Sequence, residues 1–142
     1  MKISYNGKFE KPAFKTEGSA GLDLRNNEDE DLLMRPDETC EFGTGIKIQI
    51  PEGYVGLIFP RSSLGFSKST SMVNGTGVID SDYRGEIRIK LINKGKDDVV
   101  IKSGDRVCQM VIVPYFKEEL EFTDTLDDTE RGSGGFGSTG SR

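Results

Sequence analysis

Apolar side chains recur along this chain mostly at every second position, in short runs broken by glycine, proline and charged turns. Ile46-Lys47-Ile48-Gln49-Ile50 and Ile87-Arg88-Ile89-Lys90-Leu91 alternate cleanly, as strands do when one face lies on a core. Leu22 and Leu24 flank Asp23 in the same way, which turns the carboxylate off the core. Asp23 is then either a solvent-facing group on an edge strand or part of a site above that strand. Pro51-Glu52-Gly53 turns into Tyr54-Val55-Gly56-Leu57-Ile58-Phe59, a nearly continuous apolar run that predicts a deeper strand. Asn93-Lys94-Gly95-Lys96 is a turn before a short strand over 98–102, and Ser103-Gly104-Asp105 a turn before a buried strand over 106–114. Arg106 and Gln109 are the polar exceptions in that last strand, bonded either to main chain or to a ligand. Residues 1–14 read as a short strand, a turn at Gly7 and an extended piece, because Pro12 disfavours helix at itself and at Lys11. The polar stretch 65–72 fits a loop or a short helix equally.

Composition narrows the class. Only 34% of the 142 residues are apolar, 18 are glycine and none is Trp or His. That predicts one domain of many short strands, with so little core that oligomerisation would help it. A net charge of −5 argues against long-range attraction to nucleic acid or anionic lipid, so any phosphate site must be local. Without histidine, acid–base work falls to carboxylates. Cys40 and Cys108 fit no metal-ligand spacing and read as reduced packing residues. Residues 1–10 carry charge and no signal-like apolar run, and no stretch is apolar enough to span a bilayer, which predicts a soluble cytoplasmic protein.

Candidate chemistry sits in a few islands. Asn74-Gly75-Thr76-Gly77-Val78-Ile79-Asp80 predicts a tight hairpin that presents main chain to a flat ligand, with Asp80 as a base at the end of a buried strand and Tyr83 as a stacking platform. An ordinary hairpin with a solvated Asp-Ser-Asp turn uses the same residues. Pro60-Arg61-Ser62-Ser63-Leu64-Gly65 puts a guanidinium and two hydroxyls at a strand mouth, which makes either an anion pocket or a turn capping a short helix. From Lys117 the chain is acidic with few apolar anchors. Beyond it, Arg131-Gly132-Ser133-Gly134-Gly135-Phe136-Gly137-Ser138-Thr139-Gly140 is a flexible linker or a lid for a nucleotide, offering one cation, one aromatic and free amides.

Ala20-Gly21-Leu22-Asp23-Leu24, Pro60 to Gly65, Asn74 to Ile87, Gly104-Asp105-Arg106-Val107-Cys108-Gln109-Met110 and Arg131 to Gly140 follow one another as the five motifs of one family do. In them the chain resembles the trimeric dUTP pyrophosphatases (dUTPases), end to end. The resemblance implies an all-β fold: a distorted jelly-roll or β-clip core over 1–116, an acidic linker over 117–130 and a flexible lid over 131–142. It implies a homotrimer with sites at subunit interfaces, each closed by a neighbour's tail. The implied reaction is Mg²⁺-dependent hydrolysis of dUTP to dUMP and pyrophosphate, which limits uracil incorporation into DNA and supplies dUMP for thymidylate synthesis.

Carried over position by position, the resemblance makes Asp80 the base that activates water for in-line attack on the α-phosphorus. Tyr83 would pack under the deoxyribose, and Asn74 with the main chain of Gly77, Val78 and Ile79 would read the uracil edge. Arg61, Ser62, Ser63 and Gly65 would hold phosphates, with Ser62 near the α–β bridging oxygen, and Gln109 would help place the water. Arg131, Gly137, Ser138 and Thr139 would grip the outer phosphates while Phe136 stacks on the base. Asp23 would reach Mg²⁺ through water, the metal being held mainly by the triphosphate. Arg84 and Arg106 read as structural braces. Cys108 stands where the family usually has a small residue. A nucleotide-gated binding protein acting on a repressor or other regulatory partner is the alternative function, and a dCTP-processing enzyme of the same fold fits the islands less well.

Overall fold

The computed structural model describes residues 1–135, so Phe136, Gly137, Ser138 and Thr139 of the expected lid lie outside the described residues. In chain order the elements are β1 (Lys2–Tyr5), β2 (Leu22–Arg25), β3 (Leu32–Met34), β4 (Thr39–Gly43), β5 (Ile46–Gln49) and β6 (Tyr54–Pro60). Then follow α1 (Ser62–Lys68), β7 (Thr70–Met72), β8 (Gly77–Ile79), β9 (Arg88–Asn93), β10 (Val99–Ile101) and β11 (Arg106–Pro114). All pairings are antiparallel, in sheets ordered β2-β11-β6-β8, β4-β9-β7, β1-β5 and β10-β3. The inward side chains of these sheets, among them Leu24, Phe42, Ile46, Ile58, Ile89, Leu91, Ile101 and Met110, form one continuous core in a jelly-roll-like arrangement. No helix among the described residues is long and apolar enough to cross a membrane.

One open question is settled and two expectations change. The segment 65–72, left open by the sequence, splits between α1 and β7: Leu64 anchors the helix in the core, and Ser69 ends it at φ 49°. The deep strand expected at Tyr54–Phe59 is only half buried, since Gly56 and Ile58 face the core while Val55, Leu57 and Phe59 lie on a face that this chain leaves uncovered. The tight hairpin at Asn74 does not form either. Gly75, at φ 71°, turns the chain between sheets, so that β7 pairs with β9 and β8 with β6. As a result β8 is a sheet edge, and Val78 is 61% exposed instead of buried.

One irregularity places the polar residues of β11. Arg106 and Gln109 are three apart, so a regular strand would point them to opposite faces. The β2–β11 register slips between Arg106 and Cys108, a bulge that lets Val107 and Cys108 both go inward. Arg106 and Gln109 therefore share the outer face with Asp23 of β2.

Candidate active site

The first half of the site is cationic. β6 runs out at Pro60, the Arg61 N–H donates to the Val107 carbonyl at 3.0 Å, and the chain enters α1 at once. A cleft of about 330 Å³ opens there, lined by Arg25, Arg61, Ser63, Leu64, Lys68, Asp105 and Arg106 among others. Four cations face one carboxylate in it, a locally positive cleft on a chain that is acidic overall. No side chain caps the helix N-terminus, so the exposed Ser62 and Ser63 are not used as caps. Gly65 is exposed on the same helix.

Asp23, which contacts Arg61 and Arg106 of this cleft, lies with Gln109 on the outer face of the β2-β11-β6-β8 sheet. They are register partners across β2 and β11. Asp23 Oδ2 accepts from Arg106 Nη1 at 2.9 Å, Asp23 Oδ1 lies 3.6 Å from Arg61 Nε, and the Asp23 side chain is 16% exposed. Arg61 Nη1 also donates to the Arg106 carbonyl at 3.4 Å. The carboxylate thus joins two guanidinium groups, which fits the structural reading of Arg106. Gln109 folds over Gly21 so closely that a Cβ there would lie 2.7 Å from Gln109 Oε1.

The second half lies at the β8 edge. Val78, Ile79, Asp80, Tyr83, Glu86, Ile87 and Arg88 line a cleft of about 240 Å³. Beyond it the chain makes a tight turn in which the Tyr83 N–H donates to the Asp80 carbonyl at 3.2 Å, bringing carboxylate and ring to one opening. β8 has only β6 as a ladder partner among the described residues, so its other edge offers free main-chain groups on the cleft side. The Glu41 carboxylate, bonded at 2.9 Å, raises the pKa of Arg88 further, with Glu86 and Glu28 adding to the effect.

Other expected residues sit elsewhere. Asn74 lies in the turn before β8, its amide bonded to the Thr76 carbonyl at 3.3 Å. Gly77 is buried opposite Ile58. Arg131 is exposed, bonds the Gly134 carbonyl at 3.0 Å and lines neither cleft. Residues 117–130 carry no helix or strand, and Leu120, Phe122 and Leu126 stay more than 80% exposed in them. Sequence reasoning missed Arg25, Lys68 and Glu86 as cleft-lining residues. Arg25 follows the first motif and Lys68 the second, and an isolated cation at either place carries no signal for a cleft.

The two halves do not meet within one chain. Gln109 lies opposite Phe59, whereas β8 meets β6 at Gly56 to Ile58 and Asp80 continues toward Val55. Two strand spacings sideways and some four residues lengthways put Asp80 on the order of 15 Å from Gln109.

The sequence model of the dUTPase family matches residues 8–140. A deoxyuridine 5'-triphosphate nucleotidohydrolase of Desulfitobacterium hafniense (strain DSM 10664 / DCB-2) is 44% identical over 144 residues, covering 99% of this chain and 95% of the relative. One from Maricaulis maris (strain MCS10) is 46% identical over 133 residues, 92% of this chain and 88% of the relative. Among solved structures, a point mutant of the phage 80alpha dUTPase superposes with a TM-score of 0.86 at 27% identity, over 96% of each chain. The Staphylococcus bacteriophage 80alpha dUTPase with dUPNHPP superposes at 0.82 and 27% identity, over 98% of this chain and 97% of that one. With a family match across nearly the whole length and relatives at 44% and 46% identity over most of theirs, this chain belongs to the dUTPase family.

Proposed function

We propose that this protein hydrolyses dUTP to dUMP and pyrophosphate, limiting uracil in DNA and supplying dUMP, at sites shared between the copies of a cytoplasmic homotrimer. The observation that carries the reading is the split site of a dUTPase chain: a carboxylate and an aromatic ring at a free strand edge, and a cationic cleft too far away to serve the same nucleotide alone. A second copy brings its cationic cleft to the first copy's Asp80. The uncovered face bearing Val55, Leu57, Phe59 and Val78, with Val111 and Val113 half-buried beside them, supports such an assembly, since it would gain a covering.

In this reading the β8 edge and Asn74 hydrogen-bond uracil, and the closeness of that edge leaves no room for a 5-methyl group. Cytosine reverses the donor and acceptor pattern and leaves buried groups unpaired, at about 1 to 3 kcal/mol each. Asp80 takes the proton of a water positioned with Gln109, and the water attacks the α-phosphorus in line with the departing pyrophosphate. Ser62, Ser63, Gly65 and Arg61 hold the phosphates where leaving-group charge grows. Arg131, Phe136, Gly137, Ser138 and Thr139 serve as the closing lid.

Among the described residues no group of three or more carboxylate or thiol side chains is arranged to hold a metal, and both Asp23 oxygens already face guanidinium groups. That suits Mg²⁺ brought in on the triphosphate, with Asp23 touching only its water shell. Bound there, Mg²⁺ would offset phosphate charge.

The test is pyrophosphate release with Mg²⁺ from dUTP, dTTP, dCTP and UTP, on the full chain and on one stopped after Glu130. Turnover of dUTP alone, lost on truncation, is the expected result; no turnover of any of the four by a folded trimer would sink the hydrolase reading. The phage 80 dUTPase, in which enzymatic activity is linked to SaPI inducing capacity, supports a second, regulatory reading, with a protein partner competing with dUTP.

A further inference from the structure

We propose that Gly85 and Glu86 determine the sugar selectivity of the site by fixing the plane of Tyr83; this rests on the reading of Tyr83 as the surface beneath the deoxyribose. The Tyr83 hydroxyl donates to the Glu86 carbonyl at 3.0 Å, so the ring is fastened at its far end as well as at its backbone. To reach that carbonyl it lies across Gly85, where an added Cβ would collide with the hydroxyl and stand 2.5 Å from Cζ. Any larger residue at 85 must push the ring off. Glu86 is in turn bolted to the corner between β4 and β5. Its Oε1 accepts from the Gly45 N–H at 2.7 Å, and a Cβ on Gly43 would collide with that oxygen. Next door, the buried Thr44 donates both its N–H (3.2 Å) and its hydroxyl (2.8 Å) to the Ile87 carbonyl, while the Ile87 N–H donates to the Ile46 carbonyl at 2.9 Å. Arg84 braces the other side of the turn through the Ser81 and Tyr83 carbonyls at 2.7 and 2.9 Å.

The chain of contacts runs from a rigid core corner to Glu86 and on to the Tyr83 ring, on which a ribose 2′-hydroxyl would have to fit. A platform held at both ends can reject one added oxygen; a ring free to tilt cannot. Glu86 does not touch the substrate in this scheme and is a positioning residue.

The experiment compares kcat/KM for dUTP and UTP in the wild type, Gly85→Ala, Glu86→Ala and Glu86→Gln, with dUMP and UMP binding measured alongside. Gly85→Ala and Glu86→Ala are expected to lower dUTP-over-UTP selectivity by roughly tenfold or more, as misplacements of this size do. Glu86→Gln keeps an acceptor for the Gly45 N–H and is expected to retain the wild-type ratio, which a general loss of charge or stability would not allow. Unchanged selectivity in a folded Glu86→Ala trimer overturns the proposal, and so does equal loss in Glu86→Gln. If Gly85→Ala does not fold, the Glu86 pair decides. A wild type that binds dUMP over UMP but turns over nothing counts against hydrolysis, and the same variants then test the platform by binding.

Discussion

Asp23 pairs by register with Gln109, yet its closer ion pair is with Arg106, three residues from Gln109, at 2.9 Å, with Arg61 at 3.6 Å. The bulge at Val107 makes this possible by bringing both β11 side chains to one face. Because the Asp23 side chain is 16% and the Arg106 side chain 31% exposed, the contact is shielded enough to matter to the fold. Asp23→Asn and Arg106→Gln are each expected to cost about 2 kcal/mol, the scale of a charged hydrogen bond. Urea unfolding of both single variants and the double variant checks this, and strictly additive losses would deny the coupling.

Asp80→Asn keeps the shape of the β8 cleft but cannot take a proton. A fall in kcat of roughly a thousandfold is expected, with binding of a non-hydrolysable dUTP analogue nearly intact. Retained turnover would remove Asp80 from its assigned role.

A site divided between copies allows complementation. Asp80→Asn and Gln109→Ala homotrimers should each be nearly inactive. Unfolding them together and refolding as mixtures should restore about a quarter of full activity, the fraction of interfaces that pair an intact Asp80 with an intact Gln109. No recovery in verified mixed trimers would mean that both residues act within one chain.

Burial pushes the Cys108 thiol up to about 12 and the Cys40 thiol up to about 11, from 9.0. Both favour the neutral form in the folded state, so their contribution is complete below pH 9 and is lost as the pH rises through 11 and 12. Unfolding midpoints in urea should fall across that range, and less steeply in Cys108→Ala. A thiol reagent at about pH 8 should leave Cys108 untouched until the protein unfolds.

Much of this was legible in the sequence because the core strands alternate. The period of two in Ile46–Ile50 and Ile87–Leu91 needs no tertiary context, and the structure keeps their odd and even faces as expected. Tyr54–Phe59 misled because its second apolar face stays uncovered in a single chain, and apolar runs do not say whether the covering belongs to the same copy. Asn74–Gly77 has the composition of a hairpin, but which strand β8 joins is decided by β6, about twenty residues away. The nearness of Arg106 to Asp23 was hidden for a different reason: a bulge is a property of pairing, and no residue announces it. Gly85 and Glu86 were invisible as site residues because their work goes through a main-chain carbonyl and an absent side chain.

The slip at Val107 means that β11 carries one residue more than its ladder with β2 needs. Deleting Val107 would give a regular ladder in which Arg106 and Gln109, then two apart, stay together on the outer face; what would go is a buried core side chain and the carbonyl that takes the Arg61 N–H. Length variation is commonly absorbed in loops, but here a strand holds the spare residue, and its loss would be felt in the packing beneath the sheet and at Arg61, not in the direction in which the Arg106 guanidinium points.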